Sequence, residues 1–413
     1  MKKRIAFVVT RYGKDINGGT EQHCRMLAER LVPYYNVEVL TTCAQDCTKG
    51  GNEYSEGEEI INEVFVKRFK VAPIHPESHN YYVRKSKWNR RLRKHLYQLR
   101  LLRFFASIWP IWKLEREKEL KVMKSYVFYS SDLFVYLKEN QHDYKAIIPI
   151  NISYPLAYYA SLCIPDKIIL IPTMHYESST FRSIYTEVFT KVAYIGFNTD
   201  AEQKLAEDIF SKTQMAPHGI ISVGIDDVSD ADWEKTKKKY NLPNDYLLFV
   251  GRIDKGKLNH VINYFLAYKA KYVNSNLNFV LVGGLFSTPT HHPNIIYTGF
   301  VDENEKYSII QHAKVLINPS KFESLSLILL EGMNRGKAML VNGRCPVLKE
   351  HCNKSQGAAL YYLSKRDFIS KLYRLESSEE LRLQMGRKGK IYVMQNYSWG
   401  LIIERLKKVI NSI

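Results

Sequence analysis

Short apolar runs alternate along the chain with longer stretches whose apolar positions recur at helical spacing. The first apolar run covers residues 5–10, and Leu27, Ala28 and Leu31 follow on a predicted helix. A second apolar run covers residues 37–41. A strand, a helix and a second strand in this order predict a βαβ unit, and such units imply a parallel sheet. Further strands of the first half are predicted at 146–150 and 168–172.

The second half of the chain repeats this alternation. Its pattern predicts strands over 246–251, 278–284, 295–297, 315–318 and 338–341, and helices over 258–272, 303–312 and 326–335. The polar stretch 226–245 lies close to the seam between the halves. Two doubly wound α/β halves are therefore expected to face one another across a cleft, and ligands of such sheets bind at the carboxyl ends of the strands.

Composition is that of a soluble globular protein: of 413 residues, 45% are apolar and 25% are charged. The first residues resemble a secretion signal, but the apolar run is short and Arg11 interrupts it. We interpret it as a buried strand and expect a cytoplasmic protein. The six cysteines form no CxxC pair, so no metal site is expected.

Positive charge is concentrated in one segment. Lysine and arginine exceed the acidic residues by 18, which favours an anionic partner, and no acidic residue lies between Glu77 and Glu115. The segment 82–124 is predicted to be a helical insertion. Its part 82–112 suits docking on an anionic membrane surface, or else a solvated face that covers the core of the first domain. The lysines and arginines within 82–112 are Arg84, Lys85, Lys87, Arg90, Arg91, Arg93, Lys94, Arg100 and Arg103.

Two glutamates, Glu323 and Glu331, stand eight positions apart, the first in a loop after a predicted strand. Ser326 between them is a candidate N-cap, whose hydroxyl accepts a hydrogen bond from a first-turn amide. The helix dipole and the first-turn amides then favour negative charge or sugar oxygens. Glu331 follows four apolar residues, so we expect it to be partly buried, where ribose hydroxyls would satisfy it. Alone, it is as readily a solvated glutamate on the helix face.

A turn carrying Arg252 and Lys257 follows the strand that ends at Gly251. Arginine binds a diphosphate bidentately and lysine binds it as a point charge. Lys255 is a competing candidate for the same role. A basic turn that is merely solvated is the alternative.

Two further features lie at strand ends of the first half. Gly18 and Gly19 precede a helix, where glycine lets the backbone approach a ligand, although a plain tight turn explains them equally. They do not form a GxGxxG motif, which disfavours a nicotinamide cofactor. His175 ends a predicted strand and is either a cleft residue or a structural histidine.

The segment from Glu323 to Glu331 resembles the E-x7-E motif of retaining GT-B glycosyltransferases, especially family 4. The resemblance implies that Glu323 lies near the donor sugar and that Glu331 holds the ribose. Ser324, Leu325 and Ser326 replace the usual glycine-rich segment and would shape the donor-sugar pocket. The turn from Gly251 resembles the family's G-R-x4-K element, with Arg252 and Lys257 as the phosphate-binding cations.

The same resemblance extends over nearly the whole chain and is weakest across 75–145. Gly18 and Gly19 resemble the first glycine loop, and His175 resembles a histidine that contacts the donor sugar, although Tyr176 replaces the usual aspartate. The base-binding loop would be Gly299, Phe300 and Val301. The helix 400–411 would cross back to the first domain. The implied domains are 1–220 for the acceptor, 221–395 for the nucleotide sugar, and 396–413 for the returning helix.

The resemblance implies a hexosyl or deoxyhexosyl transfer with retention and without a metal or other cofactor. The donor would be a nucleotide sugar of the UDP, GDP or dTDP type. The acceptor would be a glycan or lipid-linked glycan of bacterial surface polysaccharide assembly, at the inner face of the cell membrane. A non-catalytic scaffold subunit and a nucleotide-sugar epimerase remain alternatives. No RNA-binding signature accompanies the basic charge, so nucleic acid is not expected as a partner.

Overall fold

The computed structural model describes residues 2–16, 18–46, 50–73, 76–108 and 114–413. Trp109 and Trp112, which belong to the basic segment, and Cys47 lie outside the described residues. The chain forms two compact units: one contains 1–223 together with 402–413, and the other contains 224–401.

The first unit is built on parallel strands. Its larger sheet has the order β3-β4-β2-β1-β5, and every pair except β3–β4 is parallel. A three-stranded sheet, β6-β7-β8, continues from β5 through the bridges Ile147–Ile168 and Ile150–Ile171. The strands are β1 Arg4–Val8, β2 Asn36–Thr42, β3 Gly57–Ile61, β4 Val64–Phe69, β5 Tyr144–Pro149, β6 Ile169–Leu170, β7 Tyr194–Phe197 and β8 His218–Ile220.

Helices cover this sheet, and strand β1 is buried from Ile5 to Val8 because a parallel sheet is covered on both faces. The helices of the unit are α1 Gly19–Leu31, α2 Pro76–Lys85, α3 Lys87–Gln98, α4 Leu102–Ile108, α5 Arg116–Lys124, α6 Ser131–Glu139, α7 Pro155–Cys163, α8 Tyr185–Phe189 and α9 Asp200–Phe210.

The basic insertion consists of several short helices, α2 to α5. Arg100 has a left-handed backbone (φ 60°) and separates α3 from α4. The interpretation of all its cations as surface residues is wrong for two of them, since Arg90 and Arg93 are buried.

The second unit has one six-stranded sheet of order β11-β10-β9-β12-β13-β14, with every pair parallel. Its strands are β9 Tyr246–Val250, β10 Asn278–Val282, β11 Ile295–Gly299, β12 Val315–Asn318, β13 Met339–Asn342 and β14 Ala359–Tyr362. Its helices are α10 Trp233–Tyr240, α11 Lys255–Leu258, α12 Val261–Lys271, α13 Glu303–His312, α14 Leu327–Asn334, α15 Pro346–Lys354, α16 Lys365–Ser377 and α17 Glu379–Asn396.

Two helix predictions need comment. The helix predicted over 258–272 is confirmed as α12, but it begins three residues later, because Asn259 has a positive φ of 52° and separates it from the short helix α11. The expected terminal helix is present as α18, Trp399–Ser412. Its residues from Ile402 onward belong to the first unit, where the ammonium of Lys407 lies 4.1 Å from the ring centre of Tyr34.

Candidate functional site

The turn after β9 is shaped by two glycines on adjacent strands. Gly251 has a φ of 143°, and its amide donates to the carbonyl of Val282 at 2.9 Å. A Cβ on Gly283 would lie 2.1 Å from the carbonyl oxygen of Gly251, so no larger residue fits there. The close approach packs the ends of β9 and β10 together and fixes where the following turn begins.

Asp254 organises the turn. One of its oxygens accepts from the amide of Lys257 at 2.8 Å and caps α11, and the other pairs with Arg252. Burial favours a higher pKa of Asp254, but the hydrogen bond from the Lys257 amide and the charge of Arg252 outweigh it, so its pKa is held below the usual range. The side chain of Arg252 is 53% exposed, and Lys255 is also exposed.

Lys257 and Glu323 meet at the carboxyl ends of neighbouring strands. Strands β9 and β12 are adjacent and parallel, so the loops that follow them lie at the same edge of the sheet. The ammonium of Lys257 lies 2.8 Å from Oε1 of Glu323, and the amide of Asn318 approaches the same oxygen at 3.5 Å. The glutamate side chain is only 14% exposed. The structure thus brings together two residues that stand 66 positions apart.

Ser326 precedes α14, but the prediction that its hydroxyl caps this helix is wrong. Its φ of 76° is left-handed, and its side chain makes no cap bond. A capping residue has an extended backbone that turns its oxygen back to the helix amides, whereas here the Ser326 hydroxyl accepts from the amide of Asn318 at 2.8 Å. Ser326 is therefore tied to the end of β12, in a conformation that glycine adopts more easily.

Leu325 is held by a buried histidine on α15. His351 donates from Nε2 to the Leu325 carbonyl at 2.8 Å, and its Nδ1 faces the hydroxyl of Tyr392 at 3.0 Å. Burial lowers the pKa of His351 to about 4. A neutral ring with the proton on Nε2 fits both contacts, so His351 fixes the peptide that follows Glu323 and Ser324.

Glu331 lies on α14 and is buried, as expected. Its Oε1 lies 3.1 Å from the ammonium of Lys306 on α13. The ammonium of Lys306 and the guanidinium carbon of Arg335 lie 4.4 and 4.9 Å from the ring centre of Tyr307. Burial and the nearby Glu331 carboxylate raise the pKa of Tyr307.

The predicted base-binding loop follows β11 at the edge of the sheet. Gly299 has a φ of 73°, and its carbonyl accepts from the amide of Gly283 at 2.8 Å. Phe300 is largely exposed, and Val301 is half-buried. A Cβ on Gly284 would lie 2.6 Å from the Phe300 ring. The loop is therefore packed against the end of β10, which in turn packs against Gly251 at the start of the Arg252 turn.

The glycine pair belongs to the first unit. Gly18 stands directly before α1, and a Cβ there would meet the carboxylate of Glu21 at 2.2 Å. That carboxylate is fixed by a buried ion pair with Arg11 at 2.7 Å. Gly19 begins α1 and has open space around its Cα.

His175 lies on the loop after β6, also in the first unit. Its Nε2 is 3.5 Å from Oε2 of Glu177. The buried carboxylate of Glu202 accepts from the backbone amides of Met174 and Asn198, which follow β6 and β7. Glu202 therefore fixes the start of the loop that presents His175.

Sequence reasoning missed several residues that hold these side chains in place. Lys306 and Asn318 carried no motif that marks them, and His351 lies inside an ordinary amphipathic helix. Only Arg11 and Glu21 could have been found, because both flank the glycine pair. The contacts of Lys306 and His351 join residues 25 and 26 positions apart, which local sequence does not reveal.

No group of three or more His, Cys, Asp or Glu residues in the described part of the chain is arranged to hold a metal ion. Within the same residues, no helix is both long and apolar enough to span a bilayer.

Comparison with known proteins supports the class of fold. Residues 232–392 match the family model "Glycosyl transferases group 1". No curated protein sequence matches the chain.

Solved structures match over the full length. A sucrose-phosphate synthase from Thermosynechococcus elongatus is 15% identical, covers 100% of this chain and 99% of its own, and gives a TM-score of 0.68. The Anabaena protein HepE, solved with UDP and glucose, is 12% identical with 100% coverage of both chains and a TM-score of 0.66. A UDP-forming trehalose-phosphate synthase from Burkholderia vietnamiensis is 10% identical, also with 100% coverage of both, and scores 0.65.

The chain has the GT-B fold, with two Rossmann-like domains, as the sequence predicted. The family model and the structural likeness together support a GT-B glycosyltransferase.

Proposed function

We propose that this protein transfers a sugar from a nucleotide-diphosphate sugar with retention of anomeric configuration and without a metal. The contact between Lys257 and Glu323 carries the proposal. It places a cation and a carboxylate together at the carboxyl ends of two adjacent parallel strands, where α/β sheets bind ligands.

Charge on the leaving diphosphate would be met by Lys257 and Arg252. Preorganised donors of this kind commonly contribute about 3–4 kcal/mol each to transition-state stabilisation. Arg252 is exposed, its ion pair is with Asp254 of the same turn, and its guanidinium lies 6.0 Å from the ring centre of Phe286, so it can turn toward a phosphate at little cost. Glu323 then positions the donor sugar, and the acceptor attacks from the face of the leaving phosphate.

We assign the remaining contacts with the donor to groups at the same edge of the sheet. Glu331 would accept from the ribose hydroxyls, and the backbone at Gly299 to Val301 would hold the base. The peptide at Ser324 to Ser326, fixed by His351 and Asn318, would face the donor sugar. In the first unit, Gly18 and Gly19 would leave room for the diphosphate and the acceptor, with His175 orienting a sugar hydroxyl.

Nucleotide release tests the proposal. We expect free nucleoside diphosphate to appear when one of UDP-, GDP- or dTDP-sugars is combined with a glycan or lipid-linked acceptor, in buffer containing EDTA. NMR of the product should show the anomeric configuration of the donor. Release that needs a divalent cation, or an inverted product, contradicts the proposal. A scaffold subunit releases nothing, and an epimerase converts the donor without an acceptor.

A docking surface for anionic membrane accompanies this function in our proposal. It consists of the exposed aromatic, aliphatic and basic side chains of α2 to α4, which we call the α2–α4 surface. Phe104 is 58% exposed and Ile108 is 66% exposed. Apolar side chains among cations are typical of interfacial helices. Its exposed apolar residues and its exposed lysines and arginines are Tyr81, Arg84, Lys85, Lys87, Trp88, Arg91, Leu99, Arg100, Leu101, Arg103, Phe104, Phe105 and Ile108.

Such docking would place the enzyme at the inner face of a bacterial cell membrane, within reach of a lipid-linked acceptor of surface polysaccharide assembly. Phe104→Ser combined with Ile108→Ser should reduce co-sedimentation with vesicles containing anionic lipid, because the apolar anchors are lost. The control Val273→Ser changes an exposed apolar residue of the second unit and should bind as the parent does. Equal binding to neutral and anionic vesicles would overturn the docking proposal.

A further inference from the structure

Helix α3 buries polar and charged side chains, whereas an amphipathic helix normally buries its apolar ones. Its buried residues are Asn89, Arg90 and Arg93, while Trp88 is exposed. Arginine is almost never fully buried unless it is paired. Arg90 donates to the Val83 carbonyl at 2.7 Å and to the Ser178 hydroxyl at 3.5 Å, whereas Nε and Nη1 of Arg93 have no partner among the described residues.

A cavity of about 290 Å3 lies next to this side of the helix, within the first unit. Small-molecule sites in proteins are roughly 300–1,000 Å3, so the cavity is of the size of a small sugar derivative. Two arginines enter it from different segments, Arg90 from α3 and Arg182 from the loop that follows β6. Its lining is completed by Val83, Val122, Met123, Tyr126, Ser153, Glu177 and Ser179.

Arg182 is the clearest sign of a missing ligand. Its residue is only 6% exposed, and its Nη1 is buried without a hydrogen-bond partner. Leaving a buried charged donor unpaired is costly, so each such group needs an explanation. A ligand that accepts hydrogen bonds in the cavity supplies one.

The charge of Glu119 compensates these arginines only in part. Burial and the neighbouring Arg182 lower the pKa of Arg90 to about 10. Burial likewise lowers the pKa of Arg93 to about 10, and its Nε and Nη1 have no partner. Burial raises the pKa of Glu119, the buried carboxylate nearby, which makes it a weaker counterion. An anionic group in the cavity would add to this partial compensation.

Glu177 gives the cavity a second kind of contact. It accepts from the hydroxyl of Ser179, and its other oxygen lies 3.5 Å from Nε2 of His175. A carboxylate repels an anion but accepts hydrogen bonds from sugar hydroxyls. The cavity thus offers arginines for a phosphoryl group and a carboxylate for hydroxyls, beside the predicted catalytic histidine.

We propose that this cavity binds a phosphorylated sugar, with the phosphoryl group on Arg90 and Arg182 and a hydroxyl on Glu177. This proposal rests on the proposed transferase function in one respect: the bound phosphorylated sugar is taken to be the acceptor. The phosphoryl group could belong to a soluble sugar phosphate or to a lipid-linked sugar diphosphate, which carry the same chemistry.

Calorimetric titration of the full chain, without any nucleotide, tests the site. The probes are inorganic phosphate, glucose 6-phosphate, unphosphorylated glucose and a polyprenyl-diphosphate sugar in detergent. We expect a phosphorylated probe to bind and glucose not to bind. Arg182→Gln should weaken that binding about 10- to 100-fold, since hydrogen bonds to charged groups are lost. Arg182→Lys keeps the charge but not the planar guanidinium, so its affinity should lie between those of the parent and Arg182→Gln.

Lys204→Gln is the control, because Lys204 is an exposed cation on α9 of the same unit, outside the cavity and outside the α2–α4 surface, and this variant should bind as the parent does. The charge of Arg182 helps to keep the pKa of the buried Glu119 down, so Arg182→Gln should also lower the melting temperature without ligand, whereas Arg182→Lys keeps this charge and separates lost binding from lost stability. Binding of the lipid-linked probe alone assigns the phosphoryl group to a lipid. The site is overturned if no phosphorylated probe binds, or if Arg182→Gln binds that probe as tightly as the parent does. A failure to bind the nucleotide-sugar donor alone would overturn only the proposed transferase function.

Discussion

Replacing Lys257 by methionine is expected to lower kcat/KM for the nucleotide sugar by about 10²- to 10³-fold, the effect of removing one preorganised donor from developing charge. Methionine preserves much of the aliphatic stem, so the turn capped by Asp254 should survive. Steady-state release of nucleoside diphosphate measures the loss. A variant within threefold of the parent would remove Lys257 from the chemistry.

Two comparisons sharpen this result. Lys271→Met changes an exposed lysine at the end of α12 and should leave activity unchanged. Lys255→Met should cost less than Lys257→Met, because Lys255 is exposed and does not contact Glu323.

The partner residue completes a double-mutant cycle. Glu323→Ala should also reduce transfer strongly, and full activity in that variant contradicts the proposal. Because Lys257 and Glu323 are in contact, the double variant should lose less than the product of the two single losses. Strict additivity would indicate that the contact has no role in the reaction.

Replacing Glu331 by leucine is expected to raise the donor KM about 10- to 100-fold, since a charge-assisted hydrogen bond to the ribose is lost. It should also lower the free energy of unfolding by about 1–3 kcal/mol, because Lys306 is left buried without its partner. Initial rates at varied donor concentration and chemical denaturation measure the two effects.

The double variant Glu331→Leu with Lys306→Met separates stability from function. It removes both charges, so stability should recover, because replacing both partners of a buried pair by apolar groups is often neutral. Donor affinity should remain low. Recovery of activity together with stability would show that Glu331 has only a structural role.

Much of the fold could be read from the sequence, since the alternation of apolar runs and helical stretches marks β9 to β13 directly. Predictions failed where a single backbone conformation decides the outcome. Asn259 separates α11 from α12, so the predicted helix begins later than its apolar pattern indicates, and Ser326 turns its hydroxyl away from the helix it precedes. Positive φ at a residue other than glycine leaves no trace in hydrophobic periodicity.

The sequence by itself determined the two α/β halves, and the spacing of Glu323 and Glu331 together with the Arg252–Lys257 turn indicated a nucleotide-sugar site. Only the tertiary structure decided which groups touch: Lys257 with Glu323, Glu331 with Lys306, and His351 with the Leu325 carbonyl. It also decided that Arg90 and Arg93 are buried rather than exposed. Periodicity records which face of an element is apolar, whereas contacts depend on the order of strands in a sheet, which local sequence does not encode.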